Sequence, residues 1–369
     1  MHQQPEYVSR SRSAEGSRVL LLAPSFLADR RHKRIHGAEI FNLLLVRELV
    51  AAGAEVTVAH EHHWTPRLVE HLGDLAPTGR LRTVRTPPLR KPLPCAAWAA
   101  ARLAFARPFD LVILGNVARG VLPAARLLRR TGRARSLLVI SHQYPRADYL
   151  RSLRRLPISV MAASGPVARV FRDAGPWPVE VSYGVQNPER YFPREGPRPQ
   201  GPVRFCLVGV LDTPWKGADL ALRAWDLLEP SVRRRAELHL LAYGTPPVFR
   251  HREIVHHSWV APNEVGAWLR GMDAMLVPST AHETFSQVMA QGMLTALPQV
   301  VYDLDVLTEK LDAGGGLVFR RPEELAGHIT TLVEDEPMRL RMGREAQRTA
   351  LERYIWRVGP FIERYLARH

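Results

Sequence analysis

Apolar residues along this chain fall into short unbroken runs separated by amphipathic stretches, and that alternation predicts its elements. The runs 19–23, 56–59, 110–115 and 136–140 are rich in Val, Leu and Ile, and most of them stop at Pro, Gly or Ser. Such runs read as strands buried on both faces, the habit of parallel sheets. Between the first two, positions 40, 41, 44, 45 and 49 are apolar at helical spacing, and Gly53 follows as a helix-ending residue would. The order strand, loop, helix, strand recurs through 158–164 and 179–185. It starts again with 203–209, 237–244, 256–260, 273–277, 300–302 and 317–319, with helices over 218–228, up to Arg270, from 285, and from Pro322 and Pro337. Only 60–107 resists this reading. Pro87, Pro88, Pro92 and Pro94 mark an irregular connection there, leading to a helix over 96–106.

Repeated strand–helix alternation predicts an α/β protein with parallel, doubly wound sheets. A chain of 369 residues exceeds one ordinary hydrophobic core and suits two domains. The polar Gly/Pro-rich segment 194–202 is the expected linker between a domain over 18–193 and another over 203–353. An amphipathic helix over 354–369 is expected to cross back to the first domain. Residues 1–17 are polar, lack the apolar core of a signal peptide, and read as a disordered lead. No stretch reaches the ~18 apolar residues a spanning helix needs.

Composition narrows the chemistry. The formal charge is +15, from 51 basic against 36 acidic residues. Such a balance suits nucleic acid, an anionic membrane surface or phosphorylated ligands. Most of the basic residues are arginines on helices, as at Arg126, Arg129 and Arg130, where they read as solvated faces. No helix-turn-helix, zinc or aromatic-strand motif is present, so nucleic acid is not the expected partner, whereas the apolar-faced basic helix over 96–106 reads first as ordinary domain packing, with peripheral membrane contact the alternative. Two cysteines, Cys95 and Cys206, point to a reducing, cytoplasmic setting and exclude a cysteine zinc site. His251, His256 and His257 are close in sequence, but adjacent strand residues face opposite sides, so no metal site is expected. Only four lysines occur: Lys33, Lys91, Lys216 and Lys310.

Candidate site residues lie where loops leave strands, since open parallel sheets bind ligands at the carboxyl ends of their strands. The run from Val277 to Gln291 passes from strand through a polar loop into a helix. The amides of Phe285, Ser286 and Gln287, in the expected first turn, suit an anion such as a nucleotide phosphate. Glu283 stands just before them, and its spacing fits two roles: capping the helix, or bonding hydroxyl groups next to a bound phosphate. Lys216 precedes Gly217 in the loop after the strand ending at Gly209, where an ammonium reaches a diphosphate. His142 follows the strand 136–140, and imidazole exchanges protons near neutrality. Gly37 opens a helix after a basic loop carrying Arg30, Arg31, Lys33 and Arg34. A glycine there allows close backbone approach to a ligand, or merely a tight turn.

These motifs resemble the family-4 retaining glycosyltransferases, which have the GT-B fold of two Rossmann-like doubly wound domains facing across a cleft. That family reads Pro-Ser, a short gap, Glu-Gly-Phe-Gly, then a second Glu eight residues after the first. This chain has Pro278-Ser279, His282-Glu283-Thr284-Phe285-Ser286 and Gln291, so Thr284 and Ser286 replace both glycines and Gln291 the second acid. The resemblance extends to His36-Gly37-Ala38-Glu39, to Gly53 through Val58, to the Lys216-Gly217 loop, to Arg190-Tyr191-Phe192-Pro193 and to the late loop around Leu307-Thr308-Glu309-Lys310. It implies a nucleoside diphosphate sugar as donor and a hydroxyl acceptor, with no further cofactor or metal required. It assigns Glu283 to the donor sugar, Gln291 to the ribose, Lys216 to the diphosphate, and His142 to the neighbourhood of the transferred sugar. Gly209, Thr284, Phe285, Ser286 and Gln287 would border the donor, and Tyr243 the base. Val210 stands where the family has an arginine. Arg204, Arg250 or the basic loop at 30–34 is the expected substitute. The arginine-rich composition suits a bacterial enzyme of antibiotic or cell-surface polysaccharide biosynthesis. Two rivals stay open: a degenerate protein that binds a sugar nucleotide without catalysis, and a basic nucleic-acid binder.

Overall fold

A computed structural model describes residues 13–22, 37–61, 71–87, 92–103, 106–115, 119–183, 188–242, 249, 251–261 and 263–366. The basic loop at 30–34, Tyr243 and Arg250 lie outside them. The chain divides into two compact units, one reaching to Val185 and taking in the segment from Trp356, the other formed by Gln186–Ile355.

The first unit is built on a seven-stranded parallel sheet. Its strands are β1 (Arg18–Leu22), β2 (Glu55–Glu61), β3 (Leu81–Thr86), β4 (Phe109–Gly115), β5 (Ala134–Ser141), β6 (Ser159–Ala162) and β7 (Val179–Val181), in the order β3-β2-β1-β4-β5-β6-β7. Pleating sends alternate residues to opposite faces, and both faces are covered. Leu20, Leu22, Val112, Leu114, Leu137 and Val139 enter one core, while Val19, Leu21, Leu111, Ile113, Leu138 and Ile140 enter the other. This two-sided burial is why these strands read as unbroken apolar runs. The helix Val358–Tyr365 packs on the helix Gly37–Ala51 of this unit, with Phe361 and Ile362 in the second core. Tyr365 also donates to Glu180 at 2.9 Å.

The second unit repeats the plan with six parallel strands: β8 (Val203–Gly209), β9 (Ala236–Ala242), β10 (Ile254–Ser258), β11 (Ala274–Val277), β12 (Gln299–Tyr302) and β13 (Gly316–Phe319), ordered β10-β9-β8-β11-β12-β13. β8 therefore pairs with β9 on one side and β11 on the other, and the strand order reverses between β8 and β11. Segment 194–202 is tied to this unit. Asp273, 9% exposed, sits at the start of β11 and pairs with Arg194 at 3.3 Å and Arg198 at 2.9 Å while accepting the Arg204 amide at 2.9 Å. Among the described residues no helix is long and apolar enough to cross a membrane.

Candidate active site

The reversal between β8 and β11 fixes where the second unit offers a site. Parallel strands carry their loops at one edge, and at a reversal the loops of neighbouring strands splay apart and leave a crevice. The loop after β8 ends in a short turn, Pro214–Lys216, and Gly217 then starts the helix Ala218–Asp226. The loop after β11 runs from Pro278 to Ser286 and enters the helix Gln287–Leu294. The two loops are tied together. The Thr280 amide donates to the Trp215 carbonyl at 2.9 Å. Gly217 lies at φ +69°, so close to Pro278 that a Cβ there would stand 2.1 Å from the Pro278 carbonyl oxygen. Only glycine meets both conditions.

That close approach brings the two charged candidates together. Lys216 Nζ donates to Glu283 Oε1 at 2.5 Å, and the Ser279 hydroxyl donates to the same oxygen at 2.9 Å. Glu283 is 8% exposed. The Lys216 ammonium also stands 4.7 Å from the Trp215 ring centre, and Trp215 meets His282 edge-on at 5.5 Å. Beside the pair opens a cavity of 170 Å³, with Lys216, Ser279, Glu283, Ser286 and Gln287 on its polar side and Leu207, Leu211 and Leu276 on its apolar side. A volume of this size takes a phosphate or one sugar-sized group rather than a whole nucleotide sugar.

The helix begins two residues later than the sequence suggests, at Gln287. Ser286 occupies its N-cap in the left-handed region, φ 61° and ψ 78°, without a capping bond from its hydroxyl. Ser286, Gln287 and Val288, at the start of this helix, line the cavity, a position that favours negative charge. His282 is also left-handed, at φ 59°, so strained residues bracket Glu283. Glu283 bonds Ser279 and Lys216, and these contacts, rather than helix capping, are what its side chain makes. Phe285 points the other way, 4% exposed and edge-on to Tyr354 at 5.7 Å. Gln291 lies one turn beyond Gln287 and, like Thr284 and Gly209, stands outside the cavity lining.

Arg204 is corrected as the substitute for the arginine missing at Val210. It lies at the amino end of β8, opposite the loop edge, and pairs with Glu237 at 3.5 Å. A residue the sequence reading gave no role is Lys310. It is wholly buried, 4.7 Å from the Phe285 ring centre and 5.9 Å from that of Tyr354, and it donates to the Val306 carbonyl at 2.5 Å. Its rarity among 51 basic residues was the available signal.

In the first unit, His142 directly follows β5. Phe41, from the helix that Gly37 opens, packs edge-on against it at 4.8 Å, and Trp356 packs on Phe41 at 5.9 Å. Burial pushes the imidazole down to about 4, so it is neutral at ordinary pH. His239 and His257 stack at 5.1 Å across β9 and β10, with ring nitrogens 2.9 Å apart. Among the described residues no three His, Cys, Asp or Glu side chains gather as a metal-ion group.

Residues 202–335 match the family model described as glycosyl transferases group 1. No curated protein matches the sequence. Solved structures do. Alr3699/HepE of Anabaena, in complex with UDP-glucose, is 16% identical, with 95% of this chain and 98% of that one covered and a TM-score of 0.67. A glycosyltransferase from Rickettsia africae is 11% identical over 95% and 98%, with a TM-score of 0.72. Sucrose-phosphate synthase from Thermosynechococcus elongatus is 15% identical over 92% and 95%, with a TM-score of 0.70. At such identities the likeness is one of fold, and the fold is GT-B, as the sequence motifs imply.

Proposed function

We propose that this protein transfers a sugar from a nucleoside diphosphate sugar to a hydroxyl acceptor, with retention at the anomeric carbon. One observation carries the reading: an ammonium and a buried carboxylate from two different loops meet at 2.5 Å beside a cavity at the strand-order reversal. The group 1 match over 202–335 supports it, as does a fold shared with a protein crystallised with UDP-glucose.

On this reading the donor's diphosphate displaces Glu283 as the partner of Lys216, and the amides at the start of the helix Gln287–Leu294 share its charge. Leaving-group stabilisation of this kind is worth several kcal/mol, since the donors are fixed before charge develops. Glu283, released from Lys216 and still bonded by Ser279, turns its oxygens to the sugar hydroxyls and orients the ring. Gln291 exchanges hydrogen bonds with the ribose without a carboxylate's charge. Lys216 supplies the positive charge at the diphosphate, so metal-independent transfer is the expected chemistry. His142, neutral and fixed by Phe41, serves the acceptor's side from the first unit, where it accepts or donates a hydrogen bond and carries no charge.

Incubation with UDP-, GDP- and dTDP-sugars and a panel of hydroxyl acceptors tests the proposal. Release of nucleoside diphosphate coupled to a glycoside of unchanged anomeric configuration, read by proton NMR, is the expected result, and inverted product would remove the retaining assignment. A second reading, binding without transfer, draws on Val210 and Gln291, where the family has charged side chains. It predicts saturable donor binding with no diphosphate released.

A further inference from the structure

Lys310 is a buried cation that the proposed chemistry leaves unused. Taking an ammonium out of water is costly unless carboxylates face it, and an apolar side chain would pack among Phe285, Tyr354 and Val306 at less expense. Two acids act on it: Glu309, whose Oε1 stands 3.8 Å away, and Glu283 of the signature loop. Glu283 in turn faces Lys216 at 2.5 Å, so the cluster contains two lysines and two glutamates in balance. Lys216 is 23% exposed and beside the cavity, whereas Lys310 is fully enclosed and held by the Val306 carbonyl. Donor binding recruits the first and cannot move the second.

We propose that Lys310 is a positioning residue: a fixed buried cation beneath the signature loop that holds Phe285, and with it the loop carrying Glu283, in place when a bound diphosphate takes Lys216 away from Glu283. The aromatic cage serves the same end. The ammonium lies over the Phe285 ring, and Phe285 is two residues from Glu283, so the cation anchors the loop through packing as well as charge. Burial lowers Lys310 to about 8, against the raising effects of Glu309 and Glu283, so it stays largely protonated at neutral pH.

This inference deepens the transferase reading, and its test is independent of turnover. The chain has four lysines, so protein carrying ¹⁵N-labelled lysine gives a countable set of side-chain signals. The Lys310 midpoint is followed by NMR in the full chain and in E283Q. Removing Glu283's charge is expected to lower the Lys310 midpoint by about half a unit or more. In turnover, K310M lowers kcat by about tenfold or more and leaves the donor KM within about threefold. An unmoved Lys310 midpoint in E283Q overturns the proposal, and this measurement does not require the Lys310 variant to fold. Should no donor be consumed, the transferase reading fails while the Lys310 midpoint still reports on the contact with the loop.

Discussion

Ser286 is left-handed without being glycine, and the backbone there carries a cost of about 1–2 kcal/mol. Replacing Ser286 by Gly relieves that cost but adds freedom to the unfolded chain, so a net gain of up to about 1 kcal/mol in urea unfolding is expected. Thr284 has no positive φ, so the two glycine positions of the resembling motif are not equivalent here. A second prediction separates the polar side chains. Glu283→Gln is expected to reduce kcat by about 100-fold or more, since it removes a charge used in the transition state, whereas Gln291→Ala changes it less than about tenfold. Steady-state kinetics with the best donor checks both. Glu283 and Lys216 were legible in the sequence because each sits in a polar loop directly after an apolar run. Lys310 was not, because burial depends on residues 25 and 44 positions away.

At the level of elements, the site depends on how the loops after β8 and β11 touch. Gly217→Ala drives a Cβ into the Pro278 carbonyl and forbids the left-handed turn, so a loss of about 2–4 kcal/mol is expected. Urea unfolding checks this, and donor binding measured alongside is expected to weaken because Lys216 moves with Gly217. Strands buried on both faces were readable to within about two residues, while β3 escaped notice. Its sequence, Leu81-Arg82-Thr83-Val84-Arg85-Thr86, has no apolar run, because an edge strand with mostly solvated side chains needs none. The segment 194–202 carries linker composition yet is clamped to the second unit by Asp273, a partnership no local pattern reports.

At the level of the whole molecule, the two units are expected to respond differently to pH. In the first, His142 has a folded pKa of about 4 against 6.5 unfolded. The unfolded chain binds more protons between those values, so this unit loses roughly 2–3 kcal/mol as pH falls from 6.5 to 4, and His142→Gln flattens the loss. In the second, Lys310 has a folded pKa of about 8 against 10.5, so stability rises with pH from about 8. Burial raises Cys206 above its ordinary 9.0, and its contribution falls as pH rises past that value, so the Lys310 effect stands clear between 8 and 9. The expected gain there is about 1 kcal/mol, absent in K310M, and calorimetry across the two windows measures both.

The sequence by itself determined the repeated strand–helix order, the two parallel sheets and the loops that carry Lys216 and Glu283. These follow from periodicity and from residues that stop strands and start helices, which are local properties of the chain. Tertiary structure alone decided that the two loops meet, that Glu283 bonds Ser279 and Lys216 instead of capping a helix, that Arg204 faces the wrong edge, and that Lys310 is buried. Strand order makes β8 and β11 neighbours although 64 residues separate their ends and starts. Which charges then stand within a few ångströms of one another is set by that pairing, and no window of sequence contains it.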